Sequence, residues 1–268
     1  MTKIAVTGDQ GFIGFHFIET IKDNENFEIF PFDRVKYDFL NKASLAEFVK
    51  NKDFIVHFAG VISRENENDN MEGNLHITYK LISAIKEFNP KAKLIHLSSI
   101  QAETSFETIQ GINKRLTDEM LELFSEKFNL SVGIFRLTNT FGENCRPFYN
   151  SVVATFCYQI VNGEEIKINP NDKKFNFIYV KDVIDIILDK VRHWPEGKLF
   201  FLERIDSTNE LTISELADIL KGLSNNVSYD MIKNQFNISE KFFNDLKATY
   251  QSYLNYKINP KYAKKIKT

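Results

Sequence analysis

Residues 3–14, KIAVTGDQGFIG, decide the fold. A β-prone run from Lys3 to Thr7 leads into three glycines, Gly8, Gly11 and Gly14. The apolar positions Ile13, Phe17, Ile18 and Ile21 then recur at helical spacing. A strand, a glycine turn and a helix N-terminus together make a cradle for a pyrophosphate. Without Cβ atoms the backbone can approach the phosphates, and the N–H groups of the first helical turn point at the anion. Gln10, Phe12 and Ile13 belong to the same cradle. The plainer reading is a tight turn that happens to contain glycines. The strand before it and the helix after it speak for a bound dinucleotide instead.

Outward from that turn, short apolar runs alternate with amphipathic helices, the pattern of a parallel sheet wrapped by helices. Runs at Phe27–Phe32, Asp53–Phe58, Lys93–Leu97, Ser131–Leu137 and Phe175–Val180 read as strands. Helices are expected near Leu75–Phe88, Gly111–Phe128, Ser151–Val161, Asp182–Arg192 and Ser239–Leu254, with Asp182 capping its helix. Thr212-Ile213-Ser214-Glu215 is a capping box that opens one more. The polar stretch Arg64–Asn74 reads as a solvated loop and Lys261–Thr268 as a frayed tail. The expected fold is α/β: a Rossmann-like, doubly wound parallel sheet of about seven strands, with a smaller interleaved C-terminal substrate lobe. Residues 1–140 form the dinucleotide-binding core. Residues 141–268 form mainly the lobe, with segments near 175–202 returning to the core.

Asp33 stands at the end of the second strand, about 20 residues after the glycine turn, where a carboxylate can hydrogen-bond the adenosine ribose. Arg34 follows and suits a 2′-phosphate, so the pair leaves NAD and NADP both open; a surface ion pair is the plainer alternative. Ala59 and Gly60 allow close approach at the end of the third strand, and Ser98-Ser99 lies across the same crevice. Composition narrows the partners. Among 268 residues, 43% are hydrophobic and the net charge is −2, with no basic stripe, which argues against nucleic acid and anionic membranes. No apolar run approaches the roughly 20 residues that cross a bilayer. The absence of a leader pattern and only two cysteines, Cys145 and Cys157, place the chain in a reducing cytoplasm and provide no metal site. Both cysteines read as packing residues, and His57 and His96 as strand-core histidines.

The glycine turn, His57-Phe58-Ala59-Gly60, Ser98-Ser99 and Lys114 together resemble the extended short-chain dehydrogenase/reductase family, which acts mainly on nucleotide sugars. A narrower resemblance lies in Phe141-Gly142, Cys145, Pro147, Tyr149-Asn150-Ser151-Val152 and Ala154-Thr155-Phe156-Cys157-Tyr158. Ser99-Ile100-Gln101-Ala102 and Tyr250–Leu254 add to it. These segments are similar to the reductase domain of capsule and O-antigen enzymes that make UDP-N-acetyl-6-deoxy-L-hexosamines. The resemblance implies reduction of the 4-keto group of a UDP-2-acetamido-2,6-dideoxy-L-hexos-4-ulose with NADPH, while Asp33 keeps NADH open. It also implies a homodimer through the helices flanking the Lys114 segment. The cupin domain that epimerises C3 in many relatives is expected to be absent or to act as a separate partner.

The family's acid/base unit is Tyr-x-x-x-Lys with a Ser or Thr. Ser99 matches the serine that polarises the carbonyl, with Ser98 beside it, and Lys114 matches the lysine that holds the nicotinamide ribose. Four residues before Lys114 stands Gln110 in place of tyrosine. An amide donates a hydrogen bond but delivers no proton, and a positioned acid contributes roughly 10²- to 10⁴-fold in rate. Another acid such as Tyr149 or a water substitutes, or turnover is slow, or the chain binds without turnover. Ser98, Asn139, Arg146, Tyr149 and Asn150 are the substrate-side candidates, with Arg146 suited to a diphosphate and Tyr149 equally readable as packing. The rival functions are a nucleotide-sugar epimerase that keeps NAD bound and a non-catalytic binding subunit.

Overall fold

Apolar runs buried on both faces cannot serve as half-solvated strands, and here they line up as one parallel sheet. A computed structural model describes residues 1–60, 67–103, 108–168 and 172–256, with the side chains of all of these but 67–72. The chain runs β1 (Thr2–Thr7), α1 (Phe12–Ile21), β2 (Phe27–Pro31), α2 (Lys42–Val49), β3 (Phe54–His57), α3 (Glu67–Phe88) and β4 (Lys93–Ser99). A 3-10 turn at Ile100–Ala102 follows, then α4 (Ile109–Phe128) and β5 (Val132–Leu137). Next come β6 (Asn139–Phe141), α5 (Val152–Val161), β7 (Lys174–Tyr179), α6 (Val180–Arg192) and β8 (Phe200–Ile205). The last elements are β9 (Glu210–Thr212), α7 (Ile213–Ser224), α8 (Tyr229–Phe236) and α9 (Glu240–Tyr253).

The chain divides into two compact units. The first takes Met1–Leu137 and Ile184–Ile205. Its sheet has the order β2-β1-β3-β4-β5-β8, parallel throughout. The order reverses between β1 and β3, and at such a switch point the crossovers leave a crevice beyond the strand ends. Thr7 and His57, paired across β1 and β3, lead directly into Gly8 and Phe58-Ala59-Gly60 at that place. On one face Ala5, Ile55, Leu94 and Ile134 pack with Phe48, Leu81, Ile85 and Leu121 of α2, α3 and α4. Helix α1 buries Phe17 and Ile21.

The second unit takes Thr138–Val183 and the chain from Asp206 onward. A three-stranded sheet, β6-β7-β9, forms its base, with β6 parallel and β9 antiparallel to β7. Phe141 meets Phe242 edge-on, and the Tyr253 hydroxyl donates to the Cys145 carbonyl, so α9 is tied to the loop after β6. The Thr212–Glu215 capping box forms in both directions. Among the described residues no helix is long and apolar enough to cross a membrane.

Three expectations are corrected. Among the described residues the main sheet has six strands, not about seven, because the run at Lys174–Tyr179 pairs with β6 and β9 instead; an apolar run specifies a strand and leaves its partner open. The polar stretch Arg64–Asn74 is helical from Glu67 on, since α3 is one 22-residue helix and extending a formed helix costs little whatever the polarity of its first turns; residues 64–66 lie outside the described ones. Helix α6 starts at Val180, which puts Asp182 inside its first turn, where both carboxylate oxygens accept from Lys241 Nζ at 2.7 Å. Residues 261–268 lie outside the description as well.

Candidate active site

The cradle is built of close approaches. Gly8 has φ of +73°, and a Cβ there would stand 2.5 Å from the Ala59 nitrogen. At Gly14 a Cβ would stand 2.1 Å from the Gly8 carbonyl oxygen. The Gly11 N–H donates to that same oxygen at 2.9 Å. Gly11 is the N-cap of α1 and offers no side-chain cap, so the first-turn N–H groups of Phe12, Ile13 and Gly14 keep their donors for a ligand. Gln10 is exposed beside them. This backbone fits a dinucleotide diphosphate.

Asp33 and Arg34 are both exposed at the end of β2. The Asp33 carboxylate accepts from the Val35 N–H at 2.8 Å, which fixes it at the strand end. Asp9, in the glycine turn, has its carboxyl raised mainly by burial; the Arg34 charge opposes this and the Asp33 charge adds to it. Two carboxylates and one guanidinium therefore gather where the glycine turn meets the end of β2.

Behind Ala59 runs a directed hydrogen-bond chain that the sequence did not disclose. The Ala59 N–H donates to Thr7 Oγ1 at 3.3 Å, and Thr7 Oγ1 lies 2.6 Å from His57 Nδ1. His57 Nε2 lies 3.0 Å from Thr78 Oγ1, whose proton goes to the Asn74 carbonyl at 2.8 Å. Thr78 can then only accept from His57, so His57 carries its proton on Nε2 and takes one from Thr7 at Nδ1. Burial, helped by the Lys114 charge, brings its pKa down to about 3. His96 stacks on it at 5.4 Å and is held well below its ordinary range by burial, His57 and Lys114. Both histidines are neutral core groups.

Ser98 and Ser99 end β4 differently. Ser98 is buried, whereas Ser99 is half-buried and its hydroxyl accepts from the Gln101 N–H at 3.2 Å, keeping its own proton to donate. Thr108 caps α4 through the Gly111 N–H at 3.0 Å, and that cap sets where Gln110 and Lys114 emerge. Gln110 is half-buried. Lys114 follows one turn later, with its ammonium 3.5 Å from the Leu97 carbonyl oxygen. Burial lowers its pKa and Asp118, a further turn on, raises it. Gly60 at the end of β3 is exposed; a Cβ there would meet Asn74 Oδ1 at 3.1 Å. The first unit thus brings together the glycine turn, Asp33, Ala59, Ser99, Gln110 and Lys114 along the carboxyl ends of its strands. Residues 104–107, between Ser99 and Gln110, lie outside the described ones.

In the second unit Asn139 is exposed and donates through Nδ2 to the Asn176 carbonyl at 3.1 Å. The Arg146 guanidinium lies 4.6 Å from the Tyr149 ring centre. Between them Phe148 has φ of +56°, which a bulky side chain adopts at a cost of about 1–2 kcal/mol. Its N–H donates to Thr155 Oγ1 at 3.0 Å, and Ser151 caps α5 just beyond the exposed Asn150. Burial raises the Cys145 thiol to about 11 and the Cys157 thiol further, as inert packing residues. Among the described residues no cluster of histidine, cysteine and carboxylate could hold a metal ion.

Comparison with known proteins agrees with this architecture. The NAD dependent epimerase/dehydratase family model matches residues 4–200. Over 218 residues the chain is 34% identical to UDP-2-acetamido-2,6-beta-L-arabino-hexul-4-ose reductase of Pseudomonas aeruginosa, a match spanning 81% of this chain and 56% of that protein. It is also similar to the capsular polysaccharide assembling protein CapF from Staphylococcus aureus. There the TM-score is 0.72 at 27% identity, over 94% of this chain and 65% of that one. The UDP-glucuronic acid 4-epimerase from Bacillus cereus, solved with NAD, shares the fold at TM-score 0.79 and 17% identity, over 94% and 96% of the two chains. This chain therefore spans little more than half the length of the Pseudomonas reductase. The extent of the family match, the sheet order and the glycine cradle lead to one conclusion: the chain belongs to the NAD dependent epimerase/dehydratase family.

Proposed function

We propose that this chain is a nucleotide-sugar 4-ketoreductase acting on a UDP-2-acetamido-2,6-dideoxy-L-hexos-4-ulose. The observation that carries it is the 34% identity to the Pseudomonas reductase across 81% of this chain. A nicotinamide cofactor, when bound, would supply the hydride. The glycine turn and the first turn of α1 would hold its diphosphate, Asp33 its adenosine ribose and Lys114 its nicotinamide ribose. Ser99 donates its hydroxyl proton in a hydrogen bond to the C4 carbonyl and orients it. Gln110 adds a second donor there, and the proton that completes the alcohol is drawn from water. In the second unit Arg146 offers its guanidinium to the UDP diphosphate, with Tyr149, Asn139 and Asn150 as further polar contacts. NADPH is the cofactor in this reading, and the Asp33 carboxylate makes NADH its competitor.

The test is incubation of the purified chain with NADPH and the 4-keto sugar nucleotide. Loss of reduced-nicotinamide absorbance together with a new UDP-sugar is the expected result; neither appearing would sink the reading. Gln110 favours a second reading, a subunit that binds cofactor and sugar without turnover. Gln110→Tyr separates the two: a rate gain of about 10²-fold marks a site short of its acid, and a loss shows that the amide serves native chemistry. An epimerase would instead retain NAD through purification and consume none. A homodimer in the cytoplasm completes the proposal.

A further inference from the structure

On the sheet face beneath α4, Ser98 of β4, Arg136 of β5 and Arg204 of β8 stand side by side at one register. Neighbouring strands lie about 4.8 Å apart, so two arginine stems run abreast and repel unless anions intervene. Two anions do. Asp118 Oδ2 accepts from Arg136 Nε at 2.9 Å. Glu103 lies 3.8 Å from Arg136 Nη1 through one oxygen and accepts from Arg204 Nη1 at 3.0 Å through the other. Asp118 is 2% exposed and lies one helical turn beyond Lys114. The charges alternate along a row: Lys114, Asp118, Arg136, Glu103, Arg204.

A buried ion pair is a poor way to dock a helix, since apolar residues of similar volume usually stabilise as well or better. Helix α4 already has Leu121 in the core and caps at Thr108 and Asn129. The row therefore calls for a role other than adhesion, and its inner end is Lys114. We propose that Asp118 is a positioning residue for Lys114, rooted through Arg136 and Glu103 in strands β5 and β8. This rests on the reading of Lys114 as the holder of the nicotinamide ribose. A lysine stem is flexible and its ammonium is a point charge with three donors. The Leu97 carbonyl lies 3.5 Å from the ammonium, and the Asp118 charge, held by Arg136, acts on it from one helical turn away without a direct ion pair. Asp118 from α4 itself acts on Lys114, and the Lys114 charge in turn bears on His57 of β3 and His96 of β4. With both histidines neutral, Asp118 is the negative charge that opposes the effect of burial on the ammonium.

The test is Asp118→Asn, which keeps the size and the bond to Arg136 and removes the charge. Lys114 is read directly, by the ¹³C resonance of the reductively dimethylated side chain, assigned with Lys114→Arg. Its midpoint is expected to fall by about one pH unit or more. NADPH affinity, titrated without sugar across the pH range, is expected to fall about tenfold at its alkaline end, the worth of one charge-assisted hydrogen bond. Its alkaline limb moves to lower pH. Asp118→Glu, which retains the charge, restores the midpoint. Arg136→Lys, which keeps a charge but loses the fork that grips both carboxylates, is the second variant and also weakens NADPH. Folded variants that keep the wild-type midpoint and affinity, losing only melting temperature, overturn the proposal. Undiminished NADPH affinity in Lys114→Ala would instead overturn the reading of the site, and the Lys114 resonance would still report on Asp118.

Discussion

Gly14 shows how little room the cradle leaves at the scale of one residue. A Cβ at that position would stand 2.1 Å from one backbone oxygen and 2.8 Å from its carbon, and neither can swing aside as a side chain would. Gly14→Ala must push α1 away from the turn, at a cost of about 1–3 kcal/mol typical of overpacking. Calorimetry should show a lower melting temperature, and titration should show dinucleotide affinity reduced at least about tenfold. An alanine variant that binds like the wild type would remove the turn from the site. The turn was readable in the sequence because its parts are consecutive. The chain through His57 was not, since its hydroxyl partners lie 50 and 21 residues away and meet it only when β1, β3 and α3 assemble. Asp118 sits between these cases. Its four-residue spacing from Lys114 is visible on a predicted helix, but nothing local announces Arg136 or Glu103.

At the scale of elements, the start of α7 was legible to the residue. Thr212 accepts from the Glu215 N–H at 3.1 Å, and Glu215 accepts from the Thr212 N–H at 2.8 Å. Thr212→Ala removes the first bond and should cost about 1 kcal/mol, read as a lower urea midpoint with an unchanged slope. Long helices with a strong apolar face, such as α4, were likewise evident. Short ones were not: α2 and α8 have eight residues each, and α8 fully buries only Ile232. Strands β6 and β9, at three residues each, are too short for any alternation to register. The run at Lys174–Tyr179 was recognised as a strand, but its place in a second sheet was decided by partners far along the chain.

For the whole molecule, the two stacked histidines set an acid limit. Unfolding returns His57 to the ordinary range near 6.5, where it takes up a proton that the folded protein refuses until about pH 3. Between those values the unfolded chain binds more protons, so stability is intact above about pH 6.5 and falls as the pH drops toward 3. Each fully buried histidine contributes a slope of up to about 1.4 kcal/mol per pH unit. Urea midpoints measured from pH 7 to pH 4 should decline steeply, and replacing His96 with an apolar residue should flatten the decline. The order of the sheet also has a consequence in time. Strand β5 ends at Leu137, and its outer partner β8 begins only at Phe200. During synthesis that hydrogen-bonding edge stays bare while the first stretch of the second unit, Thr138–Val183, is being made. A bare edge is a template for pairing with any passing strand. Nascent chains halted in this interval should therefore aggregate more readily than chains that have made β8, whose arrival covers β5.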